Sequence, residues 1–230
     1  MKPKPTLEIL ISTMNRKDLS FVDAMFPKLD LSSYQLLIIN QTKHKKDLVS
    51  EIEGIRVINA REFGLSKSRN LAIDNAIGDI LVIADDDIEY LPGFDKTILE
   101  AYSQYKNASM ISFQFLNDRL MLPKLYPNKE GYYTSTKFYL TSFEMSFRKK
   151  DIDNNKIRFD ECFGLGSRFI CAEEQIIRDK LLKNKLLVAF YPKSICIHSG
   201  FTSGIKLGKM ANIEAMSAFK YRQYNNLAYL

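Results

Sequence analysis

The stretch Gly78-Asp79-Ile80-Leu81-Val82-Ile83-Ala84-Asp85-Asp86-Asp87-Ile88-Glu89 constrains the fold more than any other part of this chain. Its first half is a short apolar run rich in β-branched residues, the pattern of a strand buried on both faces of a mostly parallel sheet. Three carboxylates follow at the point where such a strand must end. In open α/β sheets, ligands bind outside the carboxyl ends of the strands. Adjacent like charges repel unless water or a cation compensates them. A divalent metal carrying a diphosphate is the most economical reason for such a tip. The competing reading is an acidic turn that caps the next helix.

The segments around this tip alternate between strand and helix patterns. Leu7–Thr13 reads as a buried strand, with Asn15 as the N-cap of a helix running through Phe21, Val22 and Met25. Tyr34–Asn40 and Ile55–Ile58 read as two further strands. Gly64 permits a tight turn, and Ser66 is placed to cap a helix continuing through Ile73. Pro92 marks the next helix start, with Phe94, Ile98, Leu99 and Tyr102 as its core stripe. Met110–Phe115 and Tyr139–Phe147 read as strands, and the stretch between them as irregular. A glycine-hinged loop, Phe159–Gly166, leads into a helix carrying Glu173 and Glu174. Leu186–Phe190 and Ser194–Ile197 read as two last strands divided by Pro192, before a glycine-spaced segment and an amphipathic C-terminal helix. The expectation is an α/β fold with a mostly parallel sheet flanked by helices. A single domain over residues 1–230 is expected, with 205–230 a loop and helix packed on it.

Length permits one full core: the chain has 230 residues, 46% of them hydrophobic. The formal charge of +6 comes from scattered lysines rather than a block, which suits a small anionic ligand better than nucleic acid. No apolar run approaches the roughly 20 residues that span a bilayer. Cys162, Cys171 and Cys196 form no CxxC pair, which argues against a zinc site or disulfide framework. A cytoplasmic protein is the resulting expectation. The C-terminal helix, with lysines and aromatics around an apolar stripe, reads as packed on the domain or grazing a membrane surface.

The motifs gain meaning from their order. Ser-Thr-Met-Asn-Arg ends the first strand and Asn40 the second. Then come Gly-Leu-Ser-Lys-Ser-Arg-Asn, the acid triplet, Asp-Glu-Cys-Phe-Gly-Leu-Gly, the pair Glu173-Glu174 and the late His198. This series resembles the family-2 glycosyltransferases of the GT-A fold (a Rossmann-like fold) over roughly Leu7 to Gly204. The resemblance implies an inverting, metal-dependent transfer from a nucleotide diphosphate sugar, a UDP-sugar above all, to a saccharide or lipid-linked saccharide in surface-glycan assembly. It places Thr13, Asn15 and Asn40 at the nucleoside, although the family usually has an aspartate where Asn40 stands. Gly64, Arg69 and Asn70 fall beneath the donor, with Asp85 and Asp86 in the acidic motif. Asp87, with Asp85 and His198, is implied as holder of Mn²⁺ or Mg²⁺. Glu173-Glu174 takes the place of a Glu-Asp pair whose second acid is the general base.

The chemistry agrees with these roles. Hard carboxylate oxygens suit Mg²⁺ and Mn²⁺, and an imidazole leans the choice toward Mn²⁺. An attacking hydroxyl must lose its proton to a positioned carboxylate. Plainer readings stand beside them: Glu173 and Glu174 as helix-dipole acids, His198 as a core histidine, and Arg69 as one half of an ion pair. Tyr132, Tyr133 and Phe163 are candidates to stack on a sugar. Gly200, Gly204 and Gly208, with Lys206 and Lys209, suggest a loop that folds over a diphosphate. Rival functions are a nucleotidyltransferase, a phosphatase with paired aspartates, and a non-catalytic nucleotide- or glycan-binding module. The first strand lacks a triphosphate loop, and the acids follow the fourth strand rather than the first, against the two rival enzymes.

Overall fold

The computed structural model describes residues 5–27, 29–133, 138–199 and 209–224. The strands are β1 (Leu7–Met14), β2 (Gln35–Gln41), β3 (Ile55–Ala60), β4 (Ile80–Asp85), β5 (Ile88–Tyr90), β6 (Ala108–Leu116), β7 (Gly131–Tyr133), β8 (Met145–Arg148) and β9 (Leu187–His198). The helices are α1 (Ser20–Met25), α2 (Leu65–Asn75), α3 (Phe94–Gln104), α4 (Lys149–Asn154), α5 (Glu173–Lys183) and α6 (Lys209–Tyr224). One sheet runs β3-β2-β1-β4-β8-β6-β9-β5, with β7 added on β9. The β3-β2-β1-β4 half is parallel, and β8 is antiparallel to both β4 and β6. β6 therefore runs parallel to β4, and β9 runs parallel to β6. The carboxyl ends of β1, β2, β4, β6 and β9 share one edge.

Alternation along the central strands builds a core on each face. Ile9, Ile11, Leu36, Ile38, Val82 and Ala84 meet Phe21, Val22 and Met25 of α1 and Phe94, Ile98 and Tyr102 of α3. The residues between them, Leu10, Leu37, Ile39, Leu81 and Ile83, meet Ala72 and Ile73 of α2 and Ile177 and Leu181 of α5. Helices on both faces of a largely parallel sheet explain why these strands are apolar at every position.

Several local expectations change. The helix after β1 begins at Ser20 with Leu19 as its N-cap, and Asn15 is instead held at φ 56° in the turn before it. Gly64, not Ser66, is the N-cap of α2, and α3 begins at Phe94, after Pro92. The strand expected over 139–147 is a 3₁₀ turn at Ser142–Glu144 followed by the short β8. Buried Glu144 causes this, because its carboxylate reaches back to the Thr141 N–H at 2.8 Å and hydroxyl at 2.6 Å. The two last strands are one. Pro192 is exposed, and the ladder with β6 slips from Ser112–Phe190 to Gln114–Ser194 around it, so the ring sits where no donor is needed. Strand β7 lies in the stretch expected to be irregular.

α6 packs on the body through Ala215 and Phe219, and Phe219 joins Phe163, Ala172 and Ile176. Arg222 pairs with Asp160, and the Gln223 amide donates to Asp179 at 3.1 Å. No described helix is long and apolar enough to cross a membrane. The glycine-spaced segment 200–208 lies outside the described residues.

At the opposite edge, buried Glu8 ties β1 to the entry of β4. Its carboxylate accepts from Arg56 at 2.6 Å, from the Ile77 N–H at 2.6 Å and from the Gly78 N–H at 2.8 Å. Replacing it with leucine leaves two N–H donors without their acceptor, while Arg56, 39% exposed and still bonded to Asn75 O, turns to water. Glu8→Leu is expected to lose about 2 kcal/mol of stability in urea unfolding.

Candidate active site

The carboxyl edge holds a cavity of about 450 Å³ whose lining includes Thr13, Gln41, Phe63, Gly64, the three aspartates and His198. The acids are distributed rather than pooled. Asp85 is bound on one oxygen by Arg69 Nη2 at 3.1 Å and on the other by the Ser142 hydroxyl at 2.8 Å. Asp86 accepts from Arg16 Nη2 at 2.7 Å and Nε at 3.0 Å, and from the Thr13 hydroxyl. Asp87 is the most exposed of the three, its side chain 61% accessible, and His198 Nε2 lies 3.4 Å from it. The ladder explains that pairing, since Ile88 on β5 sits opposite His198 on β9. Phe143 stacks on the imidazole with centroids 4.9 Å apart. The hydrogen bond between Asp87 and His198 raises the His198 pKa above its ordinary value and lowers that of Asp87.

Beneath the cavity, Arg69 is only 1% exposed. Its guanidinium reaches Asp85, Glu173 at 3.0 Å and Glu174 at 3.7 Å, and lies 5.5 Å from the Phe159 ring. Nε of Arg69 and one oxygen of Glu173 have no hydrogen-bond partner. Asn70 holds the loop after α4 as a strand neighbour would. Its amide donates to Phe159 O at 3.1 Å, and its oxygen accepts from Phe159 N–H at 2.8 Å. Ser66 closes the same clasp by donating to Phe163 O at 2.6 Å. Glycine is required where the loop crosses α2: Gly164 has φ 103°, and a Cβ there would stand 3.0 Å from Ser66 Oγ and 3.2 Å from Glu173 Cδ.

Glu173 and Glu174 open α5, where the helix dipole favours negative charge. Glu173 is tied to Arg69, whereas the Glu174 side chain keeps 13% of its surface accessible. Burial, then the charge of Glu173, pushes the Glu174 pKa up to about 8 despite Arg69. Tyr139 lies within electrostatic reach of Glu174.

The expected residues therefore fall into three places. Thr13, Gly64, Asp85, Asp86, Asp87 and His198 line the cavity. Arg69, Asn70, Glu173 and Glu174 form the layer beneath and beside it. Asn40 and Asn15 are elsewhere. Asn40 is 1% exposed, with its amide spent on Arg16 O at 3.0 Å and Asn59 at 3.1 Å and its oxygen on Arg16 N–H at 3.0 Å. Asn15 accepts from Lys43 N–H at 3.4 Å outside the cavity lining. The proposed sugar-stacking aromatics are also displaced. Tyr132 packs on Tyr105, Tyr133 on Phe138, and Phe163 is buried against Phe169.

Three participants went unread in the sequence. Gln41 follows Asn40 and faces the cavity; its amide donates to Glu62 O at 2.8 Å and Gly64 O at 3.1 Å. Arg16 and Ser142 hold Asp86 and Asp85. Arg16 stood inside the Ser-Thr-Met-Asn-Arg motif, which was its one signal.

Among the described residues no cluster of three or more His, Cys, Asp or Glu is arranged to hold a metal. Asp87 and His198 do fit a divalent ion as a two-ligand site that substrate oxygens and water must complete, and the imidazole favours Mn²⁺ over Mg²⁺ there. Asp85, expected to share the ion, already has both oxygens committed.

The glycosyl transferase family 2 model matches residues 8–171. The chain belongs to that family. Its fold is the GT-A fold of such enzymes. Similar solved structures include TarS 1-349 of S. aureus in complex with UDP-GlcNAc, at 13% identity and TM-score 0.67, covering 96% of this chain and 67% of that one. The same fragment in complex with UDP gives 13% and 0.65, covering 96% and 66%. A longer S. aureus TarS chain gives 13% and 0.65, covering 96% of this chain and 40% of its own. This chain thus spans about two thirds of the TarS fragment and less than half of the longer TarS chain. No curated protein matches it in sequence.

Within this family member, Arg69 is the group on which the layer beneath the cavity depends. Arg69→Met leaves buried carboxylates without their cation, and is expected to cost about 3–5 kcal/mol in urea unfolding.

Proposed function

We propose that this glycosyltransferase moves a sugar from a nucleotide diphosphate sugar, a UDP-sugar, to a hydroxyl of a saccharide or lipid-linked saccharide, with inversion, in surface-glycan assembly. The observation that carries the reading is the polarity of the cavity. The sheet order separates its polar groups: Gln41 ends β2 on one side of β1, whereas Asp87 follows β4 on the other side and meets His198 at the end of β9. S. aureus TarS, similar in fold, forms complexes with UDP and UDP-GlcNAc.

Gln41 lines the cavity and holds its amide N–H groups on two backbone carbonyls, so in this reading its Oε1 is the acceptor offered to the nucleobase. An acceptor so fixed takes a base presenting a ring N–H, as uracil does. Gln41 thereby takes the place first given to Asn40. Asp87 and His198 would hold Mn²⁺ or Mg²⁺ with the donor's phosphate oxygens, and the bound ion supplies positive charge against the leaving diphosphate. Arg16 keeps Asp86 neutralised beside it.

Glu174 is the general base. It takes the proton of the acceptor hydroxyl as that oxygen attacks from the face opposite the diphosphate, and Glu173 stays locked on Arg69. Only the ionised carboxylate accepts a proton, so in the free enzyme the competent fraction grows as pH rises toward about 8. Values of kcat/KM are expected to climb through neutral pH and level off above that point. Glu174→Gln is expected to lower kcat by about 10²–10⁴ with little change in donor KM and to abolish the rising limb. Transfer that survives this change undiminished removes the assignment. UDP binding without turnover across a panel of donors and acceptors points to a binding module instead.

Gln41→Leu keeps the volume and removes the acceptor. It is expected to weaken UDP-sugar binding about tenfold or more, measured as donor KM, because a buried ring N–H is left unpaired.

A further inference from the structure

The segment just before Ser142 lies outside the sheet, yet side chains hold its backbone at every residue. Arg178 Nη1 donates to Phe138 O at 2.7 Å, and Lys124 Nζ donates to Tyr139 O at 2.9 Å. Gln175 grips Leu140 twice, its amide donating to Leu140 O at 3.0 Å and its oxygen accepting from Leu140 N–H at 3.3 Å. Glu144 accepts from Thr141 N–H at 2.8 Å. Gln175, Arg178 and Glu144 are at most 3% exposed, and buried hydrogen bonds hold a backbone more firmly than wet ones. Gln175 and Arg178 belong to α5, so the segment is clamped to the helix that carries Glu174. Leu140 turns into the core, and Tyr139 turns outward with 54% of its surface accessible.

Position ties this ring to the chemistry. Burial of its hydroxyl end, and then the charges of Glu174, Cys171 and Glu173, push the Tyr139 pKa up, so that end points toward the glutamate pair. Three residues on, Ser142 binds Asp85, and three residues of chain reach at most about 11 Å. Neither Tyr139 nor Glu174 is part of the cavity lining, so a molecule laid on the ring meets Glu174 without displacing a nucleotide. Chemistry then selects the occupant. Arg69 is one cation among three carboxylates, and Lys124 is spent on Glu144, so the charge beside the ring is negative and disfavours an anion. An aromatic face takes apolar C–H surface and leaves polar groups at its rim in water. A neutral pyranose offers both, with C–H groups on its face and hydroxyls around its edge. A platform already fixed in place loses little freedom when a ligand settles on it.

We infer that Tyr139 is the platform for a neutral pyranose of the acceptor, laid on the ring so that one sugar hydroxyl reaches Glu174. The inference rests on the proposed role of Glu174 as base and adds the substrate class of that site. Tyr139 thereby supplies the stacking surface expected of Tyr132, Tyr133 and Phe163.

Two reactions of the whole chain test it. One is hydrolysis of a UDP-sugar, and the other is transfer from it to neutral methyl pyranosides and oligosaccharides. Both are followed as UDP release with Mn²⁺, without and with the saccharide, across a panel of UDP-hexoses that includes UDP-GlcNAc. Tyr139→Leu removes the flat face and keeps an apolar side chain. It is expected to raise acceptor KM about tenfold and to lower the ratio of transfer to hydrolysis by the same factor. Tyr139→Phe and Tyr139→Trp keep a ring and are expected to keep that ratio, which separates loss of the platform from loss of the fold. The inference is overturned if Tyr139→Leu leaves the ratio at its wild-type value, or if Tyr139→Phe loses as much as Tyr139→Leu. It is also overturned if the wild type hydrolyses a donor but transfers to none of the neutral saccharides, or prefers phosphorylated or uronic acceptors to them. Glu174→Gln with Tyr139 intact reads the assignment of the base separately. A wild type that turns over no UDP-sugar removes the proposed function, and this inference with it.

Discussion

The Arg69 guanidinium carries a full charge into a space with 1% exposure, and its neighbours are arranged to make that tolerable. A buried ion without partners is strongly destabilising, and a paired one is retained only when the geometry is good. Arg69 meets Asp85 from the β4 tip and Glu173 and Glu174 from the start of α5. One side chain of α2 thus fixes where a strand ends relative to where a helix begins. Asn70, beside it on α2, fixes the loop between them by imitating a strand's hydrogen bonds. The carboxyl edge is rigid because these contacts are buried, and they are worth more there than at a wet surface.

The same arrangement divides labour among acids that look equivalent in sequence. Asp85 is spent on Arg69 and Ser142, and Asp86 on Arg16 and Thr13. Asp87, the most accessible of the three, keeps only a histidine for company. At α5, Glu173 is tied to the guanidinium while Glu174 stands at its edge with a pKa raised to about 8. A carboxylate so placed is poised to exchange protons near neutrality. The pair therefore contains one structural acid and one that is chemically available, and the triplet two structural acids and one available.

The sequence was legible where its signals are local. Apolar runs such as Ile80–Ala84 fixed the central strands because both faces of a parallel strand are buried. The acid triplet, Gly64 and the two glutamates stood out because they occupy ends of elements. Illegible features depend on pairing across long separations. Pro192 suggested a break, yet β6 absorbs it by a register slip. Tyr139–Phe147 alternates like a strand, but Glu144 draws its first half into a turn through partners at Lys124 and Tyr126. Asn40 and Gln41 are neighbours in the chain, and only the way β2 ends decides which one faces the cavity. Ser142 gave no signal of its own and Arg16 only its place in the Ser-Thr-Met-Asn-Arg motif, since each acts on an acid about 60 to 70 residues away.

The central claim is that the carboxyl edge grips a donor's nucleotide at Gln41 and its diphosphate, through a divalent ion, at Asp87 and His198. Titration calorimetry of UDP in the presence and absence of Mn²⁺, on wild type and on Asp87→Asn, tests it most directly. The account predicts that Mn²⁺ strengthens UDP binding in the wild type and that Asp87→Asn removes most of that gain while leaving the weak, ion-free binding unchanged. UDP binding of equal strength with and without the ion, or a gain that Asp87→Asn leaves intact, contradicts it.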